Sequence, residues 1–268
     1  AVAFEGEMTM SAAFDSIHIE RGRAEWGDLA SFDLEGWVGD LRQSRRVKLS
    51  VSSKGNDLPR LVERTFALAA GADEQAIPVQ VRAGRLDLQP SLSGSLARPG
   101  EMIVRGTLSF DGLEMEHPAF PKRVGADGDI DFSRSSLGSK GMAITFGSSR
   151  ATVGFDAEVV ERTKLGNIRL DIDASLRMED LVQAETLEEM RAAGAIGLDL
   201  DIEGGASELA ALLPGEGAEP AAIGRAWREA RLRGDISLTD AAFEPRGGAM
   251  GIKRLSGRAS LDGGGLKG

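Results

Sequence analysis

Apolar and polar residues alternate with a period of two along much of the chain. In "NIRLDIDASLRM", Ile168, Leu170, Ile172, Ala174, Leu176 and Met178 fall on one side, and Arg169, Asp171, Asp173, Ser175 and Arg177 on the other. Successive side chains of a strand point to opposite faces, so this stretch predicts a strand with one apolar and one wet surface. The alternation recurs at Ile196, Leu198, Leu200 and Ile202 in "AIGLDLDIEG" and at Met142, Ile144 and Phe146 in "GMAITFG". "VKLSV" (Val47, Leu49, Val51) and "RLDLQ" (Leu86, Leu88) show it in shorter form. Strands that are apolar on one side suit antiparallel sheets, whereas parallel strands, covered on both faces, read as unbroken apolar runs.

A few helical stretches interrupt the strands. "NDLPRLVERTFALAAG" offers Asp57 as N-cap, Pro59 in the first turn, Leu58, Leu61, Val62 and Phe66 as one apolar face, and Gly71 as its stop. "MEDLVQAETLEEMRAAG" predicts a second helix, acidic at its start as the helix dipole favours and ending at Gly194. "SELAALLPG" from Ser207 and "EPAAIGRAWREA" from Glu219 predict two short ones. The expected class is mainly β with a few short α-helices.

Two hexapeptides, "RGTLSF" from Arg105 and "RGDISL" from Arg233, echo each other, and so do the stretches that follow. In each, a glycine (Gly106, Gly234) opens an alternating strand (Leu108 and Phe110; Ile236 and Leu238). A turn follows, then a second strand carrying a second glycine (Gly128, Gly257). Ile130 and Phe132 alternate within that second strand of the first copy. A weaker copy opens the chain, with Gly6 and Gly36. "VKLSVSSKGNDLPRLV" and "LDLDIEGGASELAALL" both run strand, glycine, capped helix. Matching order, spacing and element type predict a repeat, with units over residues 1–104, 105–232 and a truncated 233–268. The last copy stops just after its second strand, at "LDGGGLKG", as expected of a piece of a longer repetitive protein. Repeats of this kind bury their apolar faces by stacking on neighbours, and they build extended surfaces.

Composition narrows the chemistry. A net charge of −10 disfavours a nucleic-acid partner, because phosphate contacts need clustered Lys and Arg. The short basic run "RQSRR" reads as a solvated turn before "VKLSV". The chain has no cysteine, which removes disulfides, thiol catalysis and thiolate-bound metals. No apolar run reaches the roughly 20 residues of a membrane-crossing helix. Of the two histidines, His18 sits opposite Ile17 and Ile19 in its strand and His117 precedes Pro118 in a turn.

"DGDIDF" (Asp127, Asp129, Asp131) starts like a calcium loop but has Phe132 where the loop needs glycine and Gly138 where it needs glutamate. These acids, like Asp171 with Asp173 and Asp199 with Asp201, belong on the wet face of a strand. "GGGLKG" has the glycine spacing of a dinucleotide loop but no helix to follow, and no GxSxG elbow occurs. "RGD" at Arg233–Asp235 opens a strand. Trp26, Trp37 and Trp227 read as core or rim packing. No catalytic residue, metal site or cofactor is expected.

The units "VRGTLSFDGLEMEHPAFPKRVGADGDIDFSRSSLGSKGM" and "LRGDISLTDAAFEPRGGAMGIKRLSGRASLDGGGLKG", with "IGLDLDIEGGASELAALLP" between them, resemble the repeats of AsmA-like proteins of the Gram-negative envelope. The resemblance covers most of residues 100 to 268 and, more faintly, residues 1 to 70. It implies an elongated, curved, largely antiparallel β-sheet forming a repetitive groove with an apolar interior. It also implies a periplasmic protein, anchored in the inner membrane in its full-length form, that conducts or shields phospholipid acyl chains and supports the outer membrane without enzymatic activity. The lipid-facing residues on that reading are Leu108, Phe110, Ile130, Phe132, Met142, Ile144, Phe146, Ile168, Leu170, Ile172, Leu176, Ile196, Leu198, Leu200, Ile202, Ile236 and Leu238. The alternative is a structural or glycan-binding repeat scaffold with a closed apolar core, binding through polar faces such as Arg169, Asp171 and Asp173. An apolar face left uncovered in the folded chain separates the two.

Overall fold

The computed structural model describes residues 2–13, 15–27, 29–41, 43, 45–69, 80–116, 122–161, 164–181, 190–210, 230–245, 251–262 and 265–267. Strands dominate it, and their order in the sheet is their order in the chain. The chain divides into two compact units: residues 1–77, 81–114 and 127–134 form the first, and 78–80, 115–126 and 135–268 the second.

The first unit contains β1 (Val2–Met10), β2 (Ser16–Trp26), β3 (Ala30–Gly39), β4 (Arg46–Asp57) and β5 (Gln80–Ser95), with most of β6 (Ile103–Glu116) and β7 (Val124–Ser133). β1 to β5 pair successively and antiparallel. β4 leads into α1 (Leu58–Ala69), and the Asp57 carboxylate accepts the Arg60 N–H at 3.0 Å, so the predicted N-cap is in place. Beside this corner Ser53 and Asn56 are buried and bonded: Ser53 Oγ donates to the Ser31 carbonyl at 2.6 Å, and Asn56 Nδ2 to the Leu86 carbonyl at 2.7 Å. Buried polar groups persist only when paired in this way.

The second unit contains β8 (Ser136–Phe146), β9 (Ser149–Glu161), β10 (Lys164–Arg177), β11 (Met190–Gly205), β12 (Arg231–Pro245), β13 (Ile252–Asp262) and the three-residue β14 (Gly265–Lys267). Every successive pair from β8 to β14 is antiparallel. Two short helices, α2 (Met178–Leu181) and α3 (Ala206–Ala210), follow β10 and β11 directly.

The predicted second helix is corrected. Its described start is helical over Met178–Leu181, but Met190 to Gly194 belong to β11, where Met190 pairs with Pro245 and Ala192 with Phe243. Ala-rich sequence favours helix, but pairing with β12 overrides that preference. Residues 182–189, residues 219–229 of the segment "EPAAIGRAWREA" with Trp227, Gly71 and His117 lie outside the described residues.

The echo has a structural counterpart. Gly106 and Gly234 each stand fourth in their strands, β6 and β12. A Cβ at Gly106 would come within 2.6 Å of the Gln89 carbonyl oxygen and Pro90 Cα of β5. One at Gly234, whose φ is +130°, would strike the Asp199 carbonyl of β11. In both copies the glycine stands where the preceding strand's backbone presses closest. The opening copy fits less well, because Gly36 lies on β3, two strands after Gly6.

Candidate functional site

The register of the second unit sets its apolar side chains in rows that cross the strands. Met142, Val153, Ile172 and Leu200 follow one another from β8 to β11. Ile144, Ala151, Ala174, Leu198 and Ile236 form the next row, from β8 to β12. Phe155, Leu170, Ile202 and Leu232 lie on one side of these two rows, and Leu176, Ile196 and Leu238 on the other. Register-paired side chains share a face, so these rows make one continuous apolar surface.

The two ends of that surface are covered. At one end Leu209 of α3 packs with Ala230 and Leu232, against Ile168, Leu170, Ile202 and Leu261. At the other, Met178 of α2 packs with Ala192 and Ala241, against Ile196 and Leu238. α2 and α3 sit at opposite ends of the strands because they leave β10 and β11, which run antiparallel. The middle rows belong to neither cluster. Met142, Ile144, Ile172, Leu198 and Ile236 are half-buried, and Leu200 alone among the predicted residues of the face is buried. A closed sandwich would bury both inner faces. Of these middle rows only Ala174 and Leu200 are buried, and the other side chains are half-buried.

α2 is held by a buried carboxylate. Asp180 accepts hydrogen bonds from the Ser148 backbone N–H and Ser148 Oγ, both at 2.8 Å, and from Ser149 Oγ at 2.9 Å, with Lys122 Nζ at 3.7 Å. Burial acts to raise its pKa, but these hydroxyl and amide donors and the Lys122 ammonium outweigh burial and hold the carboxyl below its ordinary range. The β8–β9 turn is thus tied to α2, which keeps Met178 over the end row. Nothing in the alternation pattern signals this clamp.

The opposite face is polar, as expected. Arg169 donates from Nε and Nη2 to the two carboxylate oxygens of Asp201, at 3.2 and 2.9 Å. Asp171, Asp173 and Asp199 are exposed. The "RGD" tripeptide lies within β12, where Asp235 accepts from Arg258 at 2.7 Å and Ser260 at 2.6 Å, and those donors hold its carboxyl below the ordinary range. Among the described residues no group of acidic and histidine side chains is arranged to hold a metal ion.

The remaining predicted residues, Leu108, Phe110, Ile130 and Phe132, lie on β6 and β7 in the first unit and are half-buried. Phe132 sits over Gly106, and Thr107 Oγ1 donates to Asp131 at 2.6 Å on the other face, so these strands keep the same division between apolar and wet sides. Phe146 is half-buried at the end of β8. His18 is exposed and pairs across β3 with Trp37. Comparisons with family models, curated proteins and solved structures return no match to this chain.

Proposed function

We propose that this chain is a non-enzymatic, lipid-handling module that shelters acyl chains on the apolar face of β8 to β12, and that it works in the periplasm as part of an AsmA-like protein. The observation that carries the reading is the pair of middle rows, apolar and half-buried except at the buried Ala174 and Leu200, between end rows capped by Met178 and Leu209. Dimensions support it. Five strands spaced about 4.8 Å apart span about 19 Å. One leaflet's acyl chain reaches about 15 Å, half the hydrocarbon core. Adjacent rows on a face are about 6.7 Å apart, room for two chains side by side across the strands. Each methylene removed from water contributes about 0.8 kcal/mol, so a chain can be held with no hydrogen bond at all.

The experiment is organic extraction of the purified chain and identification of co-purifying lipid by mass spectrometry, beside the Ile172→Asp and Leu170→Asp variants. Stoichiometric phospholipid is expected with the unaltered chain. Ile172→Asp, in a middle row, keeps its circular dichroism and loses the lipid. Leu170→Asp, packed under α3, loses stability as well. A chain that carries no lipid at any stage of purification, or an Ile172→Asp variant that unfolds as Leu170→Asp does, would mean a closed core and a scaffold role.

A further inference from the structure

α2 closes one end of the apolar face with few attachments. Met178 packs on Ala192 and Ala241 beside Ile196 and Leu238, whereas Leu181, the other apolar residue of this four-residue helix, is 43% exposed. Its polar hold converges on one oxygen. Asp180 Oδ2 accepts the Ser148 N–H and the Ser148 and Ser149 hydroxyls, all within 2.9 Å. Gly147, at a φ of +61°, leaves that carboxylate its room, since a Cβ there would strike it.

A third side chain of α2 opposes closure. Glu179 Oε2 is shut off from solvent and has no hydrogen-bond partner. Such an oxygen gives up its hydration with nothing in return, and lifting the helix restores it. The α3 end is built differently. There Leu209 joins a broader apolar cluster with Ala230, Leu232 and their neighbours on β10 and β11, so the hold is spread over several side chains.

We infer that α2 is a lid over one end of the apolar face, latched to the β8–β9 turn by Asp180 and poised to lift. Lifting draws Met178 off Ile196 and Leu238 and joins their row to the middle rows. α3 stays in place as a fixed wall. The use of the lid rests on the lipid reading above: an acyl chain held in the middle rows gains a way in or out along the strands, past the β8–β9 turn. Asp180 is a positioning residue, which acts on the lipid only through Met178.

The chain has no cysteine, so a single introduced thiol reports on its own surroundings. Ala192→Cys places one beneath Met178 and Ala230→Cys one beside Leu209, both at buried positions. Reaction with a thiol reagent under native conditions, without lipid, measures how often each end opens. Asp180→Asn is expected to speed the reaction of Ala192→Cys at least about tenfold and that of Ala230→Cys less than about threefold. Glu179→Gln, whose neutral amide is cheaper to bury, should slow the reaction of Ala192→Cys about threefold. Hydrogen exchange in residues 178–181 against residues 206–210, with and without Asp180→Asn, gives the same comparison if either thiol perturbs folding. Equal acceleration at both ends, no acceleration at the α2 end, or faster reaction with Glu179→Gln would each overturn the lid. Transfer of a pyrene-labelled phospholipid from vesicles to the chain tests its use, and Asp180→Asn should speed it severalfold. An unchanged transfer rate overturns the gating role, whereas a chain that takes up no lipid overturns the lipid reading and leaves the thiol contrast standing.

Discussion

At the scale of single residues, a few positions are fixed by close contact. Gly234 combines a φ of +130° with a Cβ position already occupied by the Asp199 carbonyl. Alanine there must move the backbone of β11 or β12, and Leu200, register partner of Gly234, lies on the candidate face. Gly234→Ala should cost about 1–3 kcal/mol, the scale of a strained backbone. Gly257→Ala should cost about 0.5 kcal/mol or less, the scale of a surface change away from such features. A Cβ at Gly257 meets nothing within 4 Å. Urea denaturation of the two variants side by side checks the contrast, and equal losses would mean that the second glycine of the repeat carries a constraint the geometry does not show.

Elements show where reading the sequence succeeds and where it stops. β10 is legible because Ile168 to Arg177 alternate without interruption, and each of those residues has a register partner in β11, while Met178, expected on the same face, opens α2 instead. β11 is legible only from Ile196 onward. Its first residues, Met190 to Gly194, have helix-favouring alanines, and the register with β12 shifts between Ala193 and Ala195, where Gly194 takes a φ of +115°. Two steps of β11 face three of β12 here, so the extra residue lies in β12; the period of two runs on in β11 through Met190, Ala192 and Gly194 and is masked by its small side chains. The middle rows follow from alternation. The helices at their ends are legible as "MEDL" and "SELA", but that Met178 and Leu209 cover the end rows is not, because such packing joins residues far apart in the chain.

The clamp that holds α2 has a testable pH signature. The folded Asp180 carboxyl titrates below its ordinary value of 3.8, so its contribution is fully present above that value and is lost as pH falls through the folded pKa. Asp180→Asn should therefore destabilise the chain at pH 7 by about 1–3 kcal/mol, the cost of leaving buried donors poorly paired. The gap between variant and unaltered chain should close as pH drops below 3.8. Denaturant midpoints at pH 7 and at successively lower pH values measure it. A gap that is constant with pH would mean that the Asp180 side chain acts through its shape and not its charge.

For the molecule as a whole, the decisive fact is that strand order equals chain order. Among the described residues, strand pairing then runs between neighbours in sequence, and stability accumulates pair by pair, as in repeat proteins. Interior strands such as β10 and β11 have partners on both sides and carry a packed helix, Met178 of α2 and Leu209 of α3. Among the described residues β1 pairs with β2 alone, and β14 has three residues. Local opening should therefore begin at the ends, because opening an end strand breaks one ladder and opening an interior strand breaks two. Hydrogen exchange followed by mass spectrometry is expected to show peptides from β10 to β12 protected at least about tenfold more than those from β1 or from β13 and β14. Bound lipid should raise protection in β8 to β12. Uniform protection along the chain would instead mean a single cooperative unit, in which a closed core and not a chain of paired strands holds the fold.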